Sequence, residues 1–236
     1  NKVILFYDMK PELSCIIITK NEEKYLPILL KSLKKQTYKN FEIIVADFNS
    51  KDKTRIIAKK YGCKIVSGGK ASKARNNGAR VSKGKYLLFL DADSRLPENF
   101  IETNLNEFIK SGKGIGTVEV RPDSNKLVYI IFYKIYDLWV RLLSKIIPHS
   151  AGCSIFTTKK VFKKIKGFDE SVIFAEDHDY AKRAKKYGFI ILPIHIYTSI
   201  RRFEKEGLLK VAFKIVYGGF FRIFIKEVDK PLFKYD

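Results

Sequence analysis

Cysteine, histidine and long apolar runs are scarce in this chain, and each scarcity removes a class of protein. Cys15, Cys63 and Cys153 are its three cysteines. They are odd in number and widely spaced, with no C-x-x-C pair and no Cys/His cluster. Neither a disulfide framework nor a zinc site is indicated, and a reducing compartment suits them. The three histidines, His149, His178 and His195, are scattered. No stretch reaches the ~18 uncharged apolar residues of a membrane-spanning helix. No signal peptide is read at the first residues, so the expected location is cytoplasmic. No G-x-G-x-x-G follows the first strand pattern, which argues against a dinucleotide dehydrogenase. Negative charge is also short: 25 Asp+Glu stand against 46 Lys+Arg, for a formal net charge of +21. Such an excess is either a solvated lysine-rich coat or a surface for an anionic partner, namely a nucleotide, a nucleic acid or an anionic membrane. Helix-turn-helix, zinc-finger and RNA-binding aromatic motifs are missing, so no nucleic-acid partner is expected.

What is present is a globular pattern, 46% hydrophobic and 14% aromatic over 236 residues, enough for one sizeable α/β domain. Apolar β-branched runs predict strands at 14–19, 41–46, 64–66 and 86–90. Helical spacing predicts helices over 22–36, 51–62 and 70–84. This β-α-β-α order points to a mainly parallel sheet with helices on both faces. Further on, helices are expected over 97–112, 126–147 and 175–188, strands over 115–120 and 189–197, and a mixture over 151–170. No repeat or linker interrupts the chain. It is expected to be one domain spanning 1–236, with a nucleotide-binding half (13–120) fused to an acceptor-binding half (121–236).

Ligands of such sheets bind at the carboxyl ends of the strands, and Thr19, Asp47 and Asp91 fall at such ends. The stretch "YLLFLDADSRLPENF" (86–100) runs five apolar residues into Asp91 and Asp93. Alternate residues can face the same way past a strand end. Two carboxylates so placed need a positive partner, and they suit a hard divalent ion, Mg²⁺ or Mn²⁺, that shares phosphate oxygens.

Four segments, taken in order, resemble glycosyltransferase family 2 and its GT-A fold. They are "SCIIITKNEEKYLPILLKSLKKQTYKNFEIIVADFNSKDKT", "ASKARNNGARVSKGKYLLFLDADSRLPENF", "GFDES…AEDHDYAKRAKKYG" and "TSIRRFEKEG", together covering roughly residues 13–205. The resemblance implies an enzyme that uses a nucleotide-sugar donor, with UDP as the favoured nucleotide. "ITKNEE" matches the first nucleotide loop and implies that Thr19, Asn21 and Glu22 lie near the nucleoside. Lys20 stands where the family usually has tyrosine. Asp47 matches the aspartate that reads the uracil edge, and Phe48-Asn49-Ser50 replaces the frequent Asp-Gly-Ser. Arg75 matches an arginine near the nucleotide. Asp91 and Asp93 match the D-x-D pair, with Asp93 the closer metal ligand. Asp177 matches the catalytic base, and Arg202 in "RRF" is placed to contact the diphosphate. That last motif stands where relatives carry Gln-x-x-Arg-Trp, a departure that argues against a processive polysaccharide synthase.

The residues themselves leave alternatives open. Asp177 lies in the first turn of a predicted helix, where a carboxylate offsets the helix dipole or pairs with Lys182 or Arg183. Beside a metal-diphosphate site, the same carboxylate suits the role of general base. Glu176 and Asp179 compete for it. His195 is either a core histidine or a group that reaches the metal. In 126–147, Leu127, Ile131, Ile135, Leu138, Leu142 and Ile146 share a stripe, with Lys126, Lys134, Arg141 and Lys145 around it, and 207–228 repeats that character. Both segments suit packing on the sheet or docking on a membrane surface. The expectation is an inverting, metal-assisted glycosyltransferase acting on a lipid-linked or cell-envelope glycan, in the cytoplasm or peripheral on the cytoplasmic membrane face. Its rivals are a polyprenyl-phosphate sugar synthase and a non-catalytic basic peripheral membrane-binding protein.

Overall fold

The computed structural model describes residues 10–144, 152–173 and 175–214. The first apolar runs form β1 (Leu13–Thr19), β2 (Phe41–Asp47), β3 (Lys64–Ser67) and β4 (Tyr86–Asp91). They pair in parallel in the order β3-β2-β1-β4. Parallel neighbours need crossovers, and helices make them: α1 (Leu26–Lys34), α2 (Thr54–Lys60) and α3 (Ala71–Val81). The sheet continues through β7 (Ser154–Thr158), β6 (Ile115–Pro122), β8 (Phe189–Thr198) and a two-residue β5 (Ser94–Arg95). β7 is antiparallel to both β4 and β6, β8 is parallel to β6, and β5 is antiparallel to β8. The sheet is therefore mostly parallel, and β6 carries it past residue 121 with a shift in its register against β8 between Val118 and Val120.

Side-chain alternation sends the two halves of each strand pattern to opposite faces. Leu13, Cys15 and Ile17 of β1 and Leu88 and Leu90 of β4 meet α1 and α4 (Phe100–Ser111) on one face. Ile16, Leu87 and Phe89 meet α3, α6 (Lys159–Lys164) and α7 (Glu176–Ala184) on the other. On α1, Leu26, Leu29, Leu30 and Leu33 are all fully buried, and each contributes about 1.5–3 kcal/mol. A third, smaller cluster joins α5 (Leu127–Ser144) to α8 (Arg201–Glu206) and to the helical residues 208–214, through Tyr129, Ile200, Phe203 and Val211. No helix among the described residues is long and apolar enough to cross a membrane.

The differences from the sequence pattern have local causes. The first helix begins at Leu26, not 22, because Pro27 lacks an N–H and is tolerated only in a first turn; the N–H groups of Glu22 and Glu23 donate to Thr54 Oγ1 (2.7 Å) and Asp52 Oδ2 (3.0 Å). α7 stops at Ala184 and tightens into a 3₁₀ turn, Lys185–Tyr187, before Gly188. β5 and α8 have two and six residues, too few to show a period. His149, residues 145–147 of the first aromatic segment and 215–228 of the second lie outside the described residues.

Candidate active site

Parallel register gathers the strand ends. Thr19 lies opposite Asp47, and Ile18 opposite Asp91. Asp47 is 1% exposed, so its carboxylate needs partners. Thr19 Oγ1 donates to it at 3.1 Å, Ser50 Oγ at 2.5 Å and the Ser50 N–H at 3.1 Å, with Arg55 Nη1 at 3.7 Å. Asn21 ties this loop to the one after β1. Its N–H donates to Ser50 Oγ at 2.8 Å, and its side-chain oxygen accepts from the Lys51 N–H at 2.9 Å. Asn21 and Asn49 both adopt left-handed backbone, φ 54° and 49°, a conformation asparagine tolerates better than most residues. Phe48 is 37% exposed at this mouth, with Lys20 Nζ 5.6 Å from its ring centre.

The D-x-D pair does have a positive partner within the chain. Arg201, the first residue of α8, brings Nε to 3.1 Å from Asp93 Oδ2. Its two terminal nitrogens donate to both oxygens of Glu22, at 2.8 and 2.7 Å. Burial pushes Asp93 up to about 6, with Asp91 and Glu22 adding and Arg201 opposing. Burial likewise raises Glu22 against the lowering effect of Arg201. Arg202, the arginine singled out in the sequence, also lowers Asp93, as a weaker influence than Arg201. Successive helix residues diverge by about 100°, so the two arginines of α8 cannot both take the place of Arg201.

Arg75 knits the other side. It is 2% exposed, on α3. Nη1 donates to Glu176 Oε1 at 2.5 Å, and Nη2 donates to Asp91 Oδ1 at 3.1 Å and to the Gly152 carbonyl at 3.2 Å. Phe168 packs under the guanidinium at 5.4 Å and stacks in turn on Tyr180 at 4.2 Å. Asn76 pins that loop. Its side-chain NH₂ donates to the Phe168 carbonyl, and its oxygen accepts from the Phe168 N–H, both at 2.9 Å. Gly152 allows a close approach: a Cβ there would lie 3.0 Å from Arg75 Nη2 and 3.1 Å from Asp177 Oδ2, so either side chain would have to shift slightly.

Asp177 lies in the first turn of α7, whose N-cap is Ala175. Ala175 before it has φ 53°, a strained conformation for alanine of the sort that clusters at functional sites. Asp177 Oδ1 accepts from the His178 N–H at 2.9 Å. Burial and the neighbouring Glu176 push its carboxyl up to about 7, and Arg75 opposes them. The competing carboxylates are tied to cations, Glu176 to Arg75 (2.5 Å) and Asp179 to Arg183 (2.7 Å). Arg183 also donates to the carbonyls of Ile165 and Gly167, which accounts for one of the basic residues expected near Asp177. Asp91 and Asp177 meet at Arg75 and Gly152, and burial and then the charges of Asp91, Asp93 and Asp177 hold the adjacent Cys153 thiol far above its ordinary value. Tyr133 on the inner face of α5 packs against the core cluster that holds Cys153 and lies 5.8 Å from Phe203. Burial, with Asp177 the leading charge, raises the Tyr136 hydroxyl, and burial with Cys153 and then Asp93 raises that of Tyr133.

The structure thus gathers Thr19, Asn21, Glu22, Asp47, Arg75, Asp91, Asp93 and Asp177 along one sheet edge, with Arg202 near Asp93. His195 is elsewhere. It lies edge-on to Tyr197 at 4.8 Å, in the field of Arg121, Glu119 and Arg95. The Asp93 carbonyl accepts from the Ser199 N–H, four residues further along an extended chain and so about 13 Å away. Sequence reasoning missed Arg201, the Arg75–Glu176 pair and Gly152. "RRF" offered two arginines without saying which faced inward.

The glycosyl transferase family 2 model matches residues 14–166. An uncharacterized glycosyltransferase of Rickettsia typhi is 33% identical over 181 residues, 72% of this chain and 57% of its own length. The amylovoran biosynthesis glycosyltransferase AmsB of Erwinia amylovora is 30% identical over 215 residues, covering 82% of this chain and 71% of AmsB. The mannosyltransferase PcManGT of Pyrobaculum calidifontis, solved with GDP-Man and Mn²⁺, superposes with a TM-score of 0.72 at 20% identity. That match covers 95% of this chain and 67% of PcManGT. The chain belongs to glycosyl transferase family 2. The GT-A fold and the family expected from its motifs both hold, and the chain spans little more than half the length of the Rickettsia relative.

The residues present fit a divalent ion. No group of three or more His, Cys, Asp or Glu among the described residues forms a metal cage. Two hard carboxylates that leave the other positions to phosphate oxygens and water are what Mg²⁺ or Mn²⁺ accepts. The Arg201 guanidinium against Asp93 shows that this corner calls for positive charge.

Proposed function

We propose that the chain transfers a sugar, with inversion, from a nucleoside-diphosphate sugar to a hydroxyl of a lipid-linked or cell-envelope glycan. UDP-sugars are the first donors to test. The observation that carries this proposal is the placement of Asp177, half-buried and with its carboxyl raised to about 7, and of Asp91 beside the same Arg75 and Gly152, with Asp93 two residues beyond Asp91. A carboxylate near neutrality is suited to take a proton from a hydroxyl. The acceptor oxygen attacks the anomeric carbon while the bond from that carbon to the diphosphate oxygen breaks. The bonding pair leaves with the diphosphate, the acceptor proton passes to Asp177, and the single displacement inverts the centre. Mg²⁺ or Mn²⁺ held by Asp93 and Asp91 would neutralise charge building on the leaving diphosphate. Asp47, fixed by Thr19 and Ser50, is assigned to the uracil edge, with Asn21 and Glu22 bordering the nucleoside. Arg202 is assigned to the diphosphate, and Arg75 acts through Asp91. The GDP-Man and Mn²⁺ bound by PcManGT support the metal and make GDP-sugars the second donors to test. The role of AmsB in amylovoran biosynthesis supports a surface-glycan acceptor.

A second possibility, transfer to a polyprenyl phosphate, is favoured by the outward apolar face of α5, where Ile135 and Leu142 are each 63% exposed. Its acceptor is already an anion and needs no base. One assay tests both: UDP-, GDP- and dTDP-sugars with Mn²⁺, offered with a hydroxyl-bearing lipid-linked glycan or with polyprenyl phosphate, the product read by NMR of its anomeric proton. Transfer to the hydroxyl with inverted configuration is expected. Retained configuration, or product only on the phosphate, refutes the first assignment.

A further inference from the structure

We propose that the outer face of α5, continued by residues 208–214, is a docking surface for an anionic lipid bilayer. It would hold the chain on the membrane with the α5 side of the active site turned toward that surface. The docking surface does not depend on the sugar-transfer proposal; the lipid-borne acceptor does.

α5 has two apolar faces, and only one is used by the core. Tyr129 (9% exposed) and Val140 (8%) turn inward, and Tyr129 packs on Phe203 of α8 at 5.6 Å. On the opposite side Leu127, Ile131, Ile135, Leu138 and Leu142 recur every three or four residues, so they form one stripe. They are 69, 48, 63, 58 and 63% exposed. Val128 beside them is 49% exposed. Five aliphatic side chains in line over four turns of helix are not scattered surface apolar residues, and a continuous patch of this kind marks an interaction surface. The helical residues 208–214 repeat the arrangement, with Val211 at 1% exposure facing inward and Leu209 at 85% facing outward. Because Val211, Phe203 and Tyr129 share one cluster, the two outward faces belong to neighbouring helices.

Charge selects the partner. Lys126, Lys134 and Lys210 are exposed around these faces, on a chain of net charge +21. A second copy would bring the same sign against itself, whereas an anionic bilayer offers the opposite sign and an apolar interior together. Each lysine near such a surface is worth roughly a five-fold gain in partitioning, so three give on the order of 100-fold. No described helix can cross the bilayer, so these helices lie in its interface, as amphipathic helices do. The opposite face of α5 carries Tyr133, packed against the core cluster that holds Cys153, and the residue before Cys153 is Gly152, which lies against Asp177. α5 therefore lies between the proposed bilayer and the candidate base.

Flotation tests this with vesicles of phosphatidylcholine alone and of phosphatidylcholine mixed with phosphatidylglycerol. Trp139, the single tryptophan of the chain and part of α5, provides a second readout. The wild type is expected to float with the anionic vesicles at low salt, on the order of 100-fold better than with neutral ones. It should be released as added salt shortens the screening length from about 30 Å to about 3 Å. Trp139 emission should shift to shorter wavelength on binding. Ile135→Asp and Leu138→Asp sit at exposed positions, so they should keep the melting temperature and donor hydrolysis while losing flotation and the emission shift. Ile135→Ser is a milder control for folding. A wild type that stays at the bottom with both vesicles overturns the proposal. So does an Ile135→Asp chain that floats like the wild type. A dimer in solution that these substitutions convert to monomer also overturns it, since the face would then join two copies. A chain that floats but transfers no sugar contradicts only the proposed function.

Discussion

Arg75→Met removes one guanidinium, and its expected cost follows from what that group touches. The side chain is 2% exposed and holds Glu176, itself 10% exposed, at 2.5 Å. A buried pair adds little net stability, because desolvation cancels most of the attraction. Deleting one partner is different: Glu176 would be left as an uncompensated buried charge, which costs about 3–5 kcal/mol. For a chain of this size that corresponds to a fall in melting temperature of roughly 6–20 °C. Glu176→Gln in the same background removes the stranded charge, so the double variant should recover much of the loss. Urea denaturation of the wild type, both single variants and the double variant measures the coupling. Arg75 also opposes the upward shift of Asp177, so any activity that Arg75→Met retains should need a higher pH. A cost below about 1 kcal/mol, within the range of an ordinary exposed pair, would refute Arg75 as the charge centre of this side of the site.

Asp93→Ala should abolish the part of nucleotide affinity that depends on Mn²⁺, with calorimetry as the measure; unchanged affinity for UDP and GDP in Mn²⁺ would count against the D-x-D site. Arg201→Met frees Asp93 from its present partner, so Mn²⁺ alone should bind more tightly by about 1 kcal/mol, roughly five-fold, as read by titration of free Mn²⁺. Weaker or unchanged binding would mean that Arg201 and the ion do not compete. Asp177 works only as a carboxylate, and its carboxyl is raised from 3.8 to about 7, so kcat/KM should rise with pH through about 7 and level off above. The sign for stability is opposite: protonated in the folded chain where the unfolded chain would have ionised, Asp177 supports folding below about 4. That support is lost as pH climbs through about 7. A flat activity profile from pH 5 to 9 would contradict the assignment.

How much of this could be read beforehand depended on how local each feature was. β1, β2 and β4 are short apolar runs ending in a polar residue, and their carboxyl ends alone drew attention to Thr19, Asp47 and Asp91. The first turn of α7 could be found because three acids in "AEDHD" mark a helix start and match a family motif. The pairs that complete the site are not local. Arg75 meets Glu176 across 101 residues and Arg201 meets Glu22 across 179, and no spacing rule links partners so far apart. The stripe on α5 was visible as a period, but a period does not say which face meets the core. Only the contacts of Tyr129 and Val140 show that the stripe points away.

The most direct test of sugar transfer with Asp177 as base is single-turnover transfer by Asp177→Asn, with Glu176→Gln and Asp179→Asn as controls. General-base catalysis contributes ~10²–10⁴-fold, and Asp177→Asn should slow transfer by that factor. Nucleotide and Mn²⁺ affinity should stay at wild-type levels, since those contacts are assigned to Asp47, Asp91 and Asp93, and Asp179→Asn should cost much less. Transfer by Asp177→Asn at near the wild-type rate, in a chain that still folds and binds donor, would contradict the assignment and move the acceptor to a phosphate.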